Sequence, residues 1–252
     1  MQLTLRPVSW RLREPFVTAR EAIDCVPALV VELRDAAGNR GRGEAVGVDY
    51  AGESPASMLA QLERLRGEIG ALQRPDRALL ACWLPAGGAR NALDAASWDL
   101  EAKASGIPAW QLAGMPAPRP LVTAYTIGIG DQEVVSAAAR AHADWPLLKV
   151  KVDALRHLEL VRAVRESAPR ARLIVDANGS WNANLLAELG PELHRLGVEA
   201  LEQPLPAEAD SALASSRCPV PLCADESFDD LGSLNRVRGR YGILNLKLDK
   251  TG

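Results

Sequence analysis

Hydrophobic and polar positions along the chain follow two different patterns. Up to about residue 118, short alternating runs at residues 2 to 8 and in PALVVEL read as antiparallel strands, the second followed by the turn-rich DAAGNRGRGE. Helical periodicity follows. SPASMLAQLERLRGEIGAL has a Ser-Pro start, and ARNALDAASWDLEAKASG ends on Gly106 just ahead of Pro108. From residue 120 the pattern becomes short apolar strands, LVTAYTIGI, PLLKVKV, ARLIVDA, VEALEQP, VPLCADE and GILNLKL. Helix candidates such as DQEVVSAAARAHAD, LRHLELVRAVRESA and NANLLAELGPELHRL separate them. Repeated βα units imply a parallel sheet, and six in succession without a Gly-rich nucleotide turn favour a (β/α) barrel over a doubly wound sheet. The expected class is therefore α/β, with an α+β domain over residues 1–118 and a partial (β/α) barrel over 119–252.

Within PLLKVKVDA, Lys149 and Lys151 stand two apart and share one face of their strand, while Leu148, Val150 and Val152 take the other. A solvated face would make the pair ordinary. A barrel interior would demand nearby anions, because desolvating an ammonium group is costly. Polar residues recur at the strand ends in phase with the repeat: Lys151, Asp176, Glu202, Asp225 and Lys247 are separated by 25, 26, 23 and 22 residues. In a parallel barrel such positions converge on the C-terminal face, where active sites form. Three carboxylates brought together there repel unless a cation sits between them, and an all-oxygen set suits Mg²⁺. No histidine or cysteine stands at a strand end, which argues against zinc.

Charge and composition narrow the partners. Net charge is −3 with acids and bases interspersed, leaving no basic footprint for nucleic acid or an anionic membrane. Small-molecule substrates are expected instead, with homo-oligomerisation left open. Cys25, Cys82, Cys218 and Cys223 are scattered and read as free thiols. There is no signal-peptide core and no run of about 18 apolar residues, so a cytoplasmic protein is expected. His142, His157 and His194 fall in predicted helices, and no GxSxG, Cys-His pair or P-loop is present.

These residues resemble the enolase superfamily in its muconate-lactonising subgroup, and within it the dipeptide epimerases that act on L-Ala-D/L-Glu. WDLEAKASGIPAWQLAG is similar to the end of that subgroup's capping domain and TAYTIGIG to the first barrel strand. KVKVD, DANGSW, LEQPL, ADES and NLKLDKTG resemble the base strand, the three metal strands and the opposite-base strand. The resemblance implies Mg²⁺ held by Asp176, Glu202 and Asp225, with Lys151 and Lys247 as bases on opposite faces of the substrate. Lys149 would hydrogen-bond to the substrate carboxylate beside the working amine. FVTARE resembles the loop that closes over the substrate, where Arg20 would meet a glutamyl carboxylate; a solvated arginine on a hairpin is the other reading. Thr126 and Asn178 are implied as further substrate contacts. The implied reaction is α-proton abstraction and return through a metal-stabilised enediolate, which inverts the stereocentre.

o-Succinylbenzoate synthase, muconate cycloisomerase and N-acylamino acid racemase share the same lysines and metal ligands and stand as alternatives. The family's barrel continues for two strands beyond KLDKTG and includes an Asp-x-Asp element for the substrate ammonium group. A second reading, of a different class, is therefore a truncated and catalytically inactive paralogue or a fragment, with exposed sheet edges that favour aggregation.

Overall fold

The computed structural model describes residues 1–252 and divides them into two compact units. The first comprises Met1–Leu12, Cys25–Pro120 and Leu246–Gly252; the second comprises Arg13–Asp24 and Leu121–Asn245. No helix is long and apolar enough to cross a membrane.

A three-stranded sheet opens the chain, with β1 (Gln2–Val17), β2 (Ala22–Arg34) and β3 (Arg40–Ala45) in that order. β1 runs well past the alternating stretch expected at residues 2 to 8. β2 and β3 pair antiparallel from Leu29↔Ala45 to Arg34↔Arg40. At the turn Asp35 accepts from the backbone and side-chain nitrogens of Asn39, both at 2.8 Å. Alternation buries Leu29, Val31 and Leu33 completely. Helices α1 (Pro55–Arg64), α2 (Arg66–Ala71), α3 (Arg77–Trp83), α4 (Gly88–Ser105) and α5 (Ala109–Leu112) follow. The SPASM start is a reciprocal capping box between Ser54 and Ser57, with Pro55 in the first turn. α4 ends as its sequence predicts, on left-handed Gly106 at φ 69°.

The seam between β3 and α4 is unusually close. A Cβ on Gly41 would overlap Ala96 O, and one on Gly43 would overlap Ala92 O. Alternate glycines in RGRGEA thus meet the alanine stripe of α4, and neither side has volume to spare.

The second unit is built on six parallel strands in sequential order: β4 (Tyr125–Ile127), β5 (Leu147–Lys151), β6 (Arg172–Asp176), β7 (Val198–Glu202), β8 (Leu222–Ala224) and β9 (Ile243–Leu244). Helices α6 (Gln132–Ala141), α7 (Leu158–Ser167), α8 (Ala183–Arg195) and α9 (Leu234–Val237) fall between them. Leu148, Val150, Val152, Leu173, Val175 and Leu201 join Val161, Val164, Leu186 and Leu193 of the helices in one apolar core. This is the incomplete (β/α) barrel expected from the repeat.

One expectation is corrected. GILNLKL does not continue as a strand to Lys247. β8 stops at Ala224, so after the pair Ala224↔Leu244 the ladder adds one bond, Asn245 N to Ala224 O at 2.8 Å, and the chain then leaves the sheet. Lys247 becomes the N-cap of α10 (Leu248–Thr251).

Gly43→Ala should lower stability by about 1–3 kcal/mol through overpacking of the α4 seam. Gly67→Ala in α2, where a new Cβ meets nothing, should be neutral or stabilising by up to ~1 kcal/mol. Urea unfolding of the two variants at equal m-value checks both.

Candidate active site

Register delivers the polar side chains to one level. β5, β6 and β7 align Lys151 with Asp176 and Asp176 with Glu202, so three strand ends form one transverse row. Asp225 follows immediately after β8. Thr126 on β4 stands beside Lys149, two residues earlier along β5. Because side chains alternate, the face opposite the apolar core carries the lysines and acids together.

The two lysines face inward. Lys149 Nζ lies 2.8 Å from both Asp176 Oδ2 and Glu202 Oε2, and Lys151 Nζ lies 2.7 Å from Asp176 Oδ2. Asp176 is completely buried, and Glu202, Asp225 and Lys151 are each less than a tenth exposed. Lys151 Nζ also donates to Asn178 Oδ1 at 2.8 Å, and the Asn178 backbone N–H donates to Asp176 Oδ1 at 2.9 Å. Asn245 Nδ2 donates to Glu202 Oε1 at 2.9 Å.

Burial alone would raise the Asp176 pKa, but the neighbouring ammonium groups of Lys149 and Lys151 outweigh it and hold the carboxyl below its usual range. Burial works against the charge on Lys149 too, yet Asp176 and Glu202 more than compensate and keep it firmly protonated. Glu202 goes the other way. Burial and the negative charge of Asp176 push it up to about 7 despite the contact with Lys149. Glu202 therefore feels its buried surroundings and Asp176 more strongly than it feels Lys149.

Arg20 forms an ion pair with Glu226, which also accepts from Asn178 Nδ2 at 3.1 Å. Burial and the adjacent Asp225 raise the Glu226 pKa against the pull of Arg20 and Asn178. Arg20, Asn178, Glu226, Lys151 and Asp176 are thus linked within the second unit. Lys247 belongs to the first unit, in the segment whose Asp249 accepts from Asn91 Nδ2 at 2.8 Å and whose Thr251 carbonyl accepts from Arg90.

Three participants escaped the sequence reading: Gln203, Glu226 and Asn245. Each adjoins a motif that was singled out, in LEQP, ADES and GILNL, but amides and a second acid next to a strong acidic signal are easily passed over. The histidines take structural places. His142 stacks on Tyr125 with ring centroids 3.6 Å apart, and His157 accepts from Leu158 N at the start of α7.

The donors suit a hard divalent cation: oxygen only, buried, and near enough for Asp176 to oppose the ionisation of Glu202. Among the described residues no three acids, histidines or cysteines close on a common point as a ligand sphere. Instead the Lys149 ammonium bridges Asp176 and Glu202 and supplies positive charge between them. Asp176, Glu202 and Asp225 are the residues that could hold a cation, and their chemistry fits one.

An α+β unit together with a parallel β/α unit whose strand ends carry buried acids and lysines defines the class of this protein. The chain belongs to the enolase superfamily: residues 133–252 match the enolase C-terminal domain-like family, and residues 1–114 match the mandelate racemase / muconate lactonizing enzyme N-terminal domain. It is 43% identical over 247 residues to the L-Ala-D/L-Glu epimerase of Escherichia coli (strain K12), covering 97% of this chain and 76% of that protein. An enolase family member from Agrobacterium tumefaciens with homology to dipeptide epimerases, solved with sodium and L-Ala-L-Glu, superposes at TM-score 0.94. It shares 38% identity, with 99% of this chain and 76% of that one covered. The dipeptide epimerase of Methylococcus capsulatus, solved with Mg and L-Arg-D-Lys, gives TM-score 0.89 at 33% identity, with 100% and 75% covered.

Lys149→Met removes the charge that bridges two buried carboxylates and should destabilise the chelator-treated protein by roughly 3–5 kcal/mol. Lys103→Met, which is exposed and whose partner Asp99 also accepts from Arg42 N at 2.8 Å, should cost less than about 1 kcal/mol. Denaturant unfolding of the two variants in parallel makes the comparison.

Proposed function

We propose that this chain is a Mg²⁺-dependent epimerase of dipeptides of the L-Ala-D/L-Glu kind. The observation that carries the reading is the row of Lys151, Asp176 and Glu202 at adjacent parallel strand ends, with Lys149 paired between the two acids. Membership of the enolase superfamily and likeness to dipeptide epimerases support it.

The chemical problem is a proton α to a carboxylate, whose removal adds a second negative charge to the same group. When bound by Asp176, Glu202 and Asp225, Mg²⁺ supplies the positive charge that offsets this development. Lys151, fixed by Asp176 and Asn178, is the base on one face and exchanges its proton with the substrate α-carbon. Lys149 stays cationic and offers a donor to the substrate carboxylate. Lys247 is assigned to the opposite face on its place in NLKLDKTG, so that abstraction from one side and return from the other inverts the centre. Arg20 is the candidate partner for the substrate's side-chain carboxylate, a planar fork suited to bidentate pairing. Thr126 and Asn178 complete the set of substrate contacts.

In D₂O with Mg²⁺, L-Ala-L-Glu should exchange its glutamyl α-proton and accumulate the epimer, followed by proton NMR. Lys151→Ala and Lys247→Ala should each reduce epimerisation at least about a hundredfold. Each should retain α-exchange from one epimer only, and opposite epimers in the two variants. Equal loss of exchange from both epimers in both variants would count against two bases. Mg²⁺ should raise the thermal midpoint of the unsubstituted protein, and Asp176→Asn or Glu202→Gln should abolish that rise.

A further inference from the structure

Gln203 does something that neither its neighbourhood in sequence nor the mechanism above calls for. Its side chain is completely buried. Its backbone sits at φ 36°, in the left-handed region that a residue with a Cβ rarely enters. From there its carboxamide uses both ends. Oε1 accepts from the backbone N–H groups of Asp225 at 2.9 Å and Ser227 at 3.1 Å. Nε2 reaches Leu205 O and Ser227 Oγ, both at 2.7 Å, and Tyr241 OH at 3.0 Å. The two backbone N–H donors at Oε1 fix which way the amide points.

Its main chain is equally committed. Gln203 N donates to Cys223 O at 2.9 Å, and Gln203 O accepts from Gly179 N at 2.7 Å. Ala177 N, one residue beyond Asp176, donates to Glu202 O at 3.1 Å. The turns that follow β6, β7 and β8 therefore meet at a single residue. β6 and β7 end in, and β8 is followed at once by, the acids proposed to hold the cation.

The geometry points to Gln203 as the positioning residue of that site: its amide holds the backbone at Asp225, and through it the placing of Asp225 beside Glu202, so that Asp225 can serve the cation. This rests on the reading of Asp176, Glu202 and Asp225 as cation ligands. Packing alone would be served by an apolar side chain of similar size. Only a group that accepts at one end and donates at the other can take two backbone N–H groups of the turn after β8 on its oxygen and share its two amide hydrogens among Leu205 O, Ser227 Oγ and Tyr241 OH. Because Gln203 does not itself contact the cation, its removal should act on affinity through the ligand that it places.

The experiment measures binding of Mg²⁺ alone by calorimetry, after chelator treatment and well below each protein's unfolding midpoint. Three proteins are compared with the unsubstituted chain: Gln203→Leu, the double variant Ser227→Ala/Tyr241→Phe, and Leu213→Ala. Leu213→Ala deletes a buried apolar group of the same unit and controls for lost stability. Gln203→Leu should need at least tenfold more Mg²⁺ for half-saturation. The double variant keeps Gln203 but removes the hydroxyl partners of its amide, and should need at least threefold more. Leu213→Ala should stay within twofold, whatever its loss of thermal midpoint. Should Gln203→Leu not fold, the double variant decides alone. Wild-type half-saturation in either amide-disrupting variant overturns the inference while leaving the cation site intact. An equal loss in Leu213→Ala overturns it as well, since general loosening then explains everything. No binding by the unsubstituted chain removes the cation site itself, and the inference with it.

Discussion

Two ammonium groups set among buried carboxylates are the interaction on which the strand ends depend. Asp176 has no exposure to water, and a carboxylate there is tenable only with cations against it. Lys149 and Lys151 meet it through the same oxygen, Oδ2, and Lys149 reaches on to Glu202. The contact exists because β5, β6 and β7 are parallel and in step, so that residues 25 or so apart in sequence become neighbours on adjacent strands, one strand spacing apart. The same two-residue alternation that gives Leu148, Val150 and Val152 to the helices gives the lysines to the acids. Apolar packing and ionic pairing are two faces of one strand.

How much of this could be read from the sequence follows from the distance over which each signal acts. The βα repeat, the inward lysine pair and the phased acids are local patterns multiplied by a regular spacing, and periodicity alone brings them together. Gly106 as a helix stop and Ser54-Pro55 as a start are equally local. Lys247 behaved differently because a strand needs a neighbour. GILNLKL has the composition of a strand as far as Leu248, but β8 offers only three residues to pair with, and nothing within GILNLKL reveals that. Gln203, Glu226 and Asn245 were missed for a related reason. An amide or carboxylate whose partners lie 22 to 206 residues away leaves no pattern of its own in the chain.

Backbone strain is distributed in the same place as the chemistry. Two residues other than glycine hold positive φ, Asn178 at 45° and Gln203 at 36°, and each lies within two residues of a strand-end acid. Asparagine tolerates that region because its short side chain bonds locally; here it joins Lys151 to Glu226. Glycine would relax both turns and leave their polar neighbours without partners. Conformational cost is accepted where a side chain has work that glycine cannot do.

The two compact units are not consecutive stretches of chain. Residues 13–24 are emitted early yet belong with 121–245, and residues 246–252 are emitted late yet belong with the N-terminal unit. Each unit therefore draws on residues set apart from the bulk of its own chain: residues 13–24 precede the first helix, and residues 246–252 follow β9. Long-range closure of this kind slows folding and prolongs the exposure of apolar surface. A cut near residue 118 would part residues 13–24 from 121–245 and residues 246–252 from the N-terminal unit.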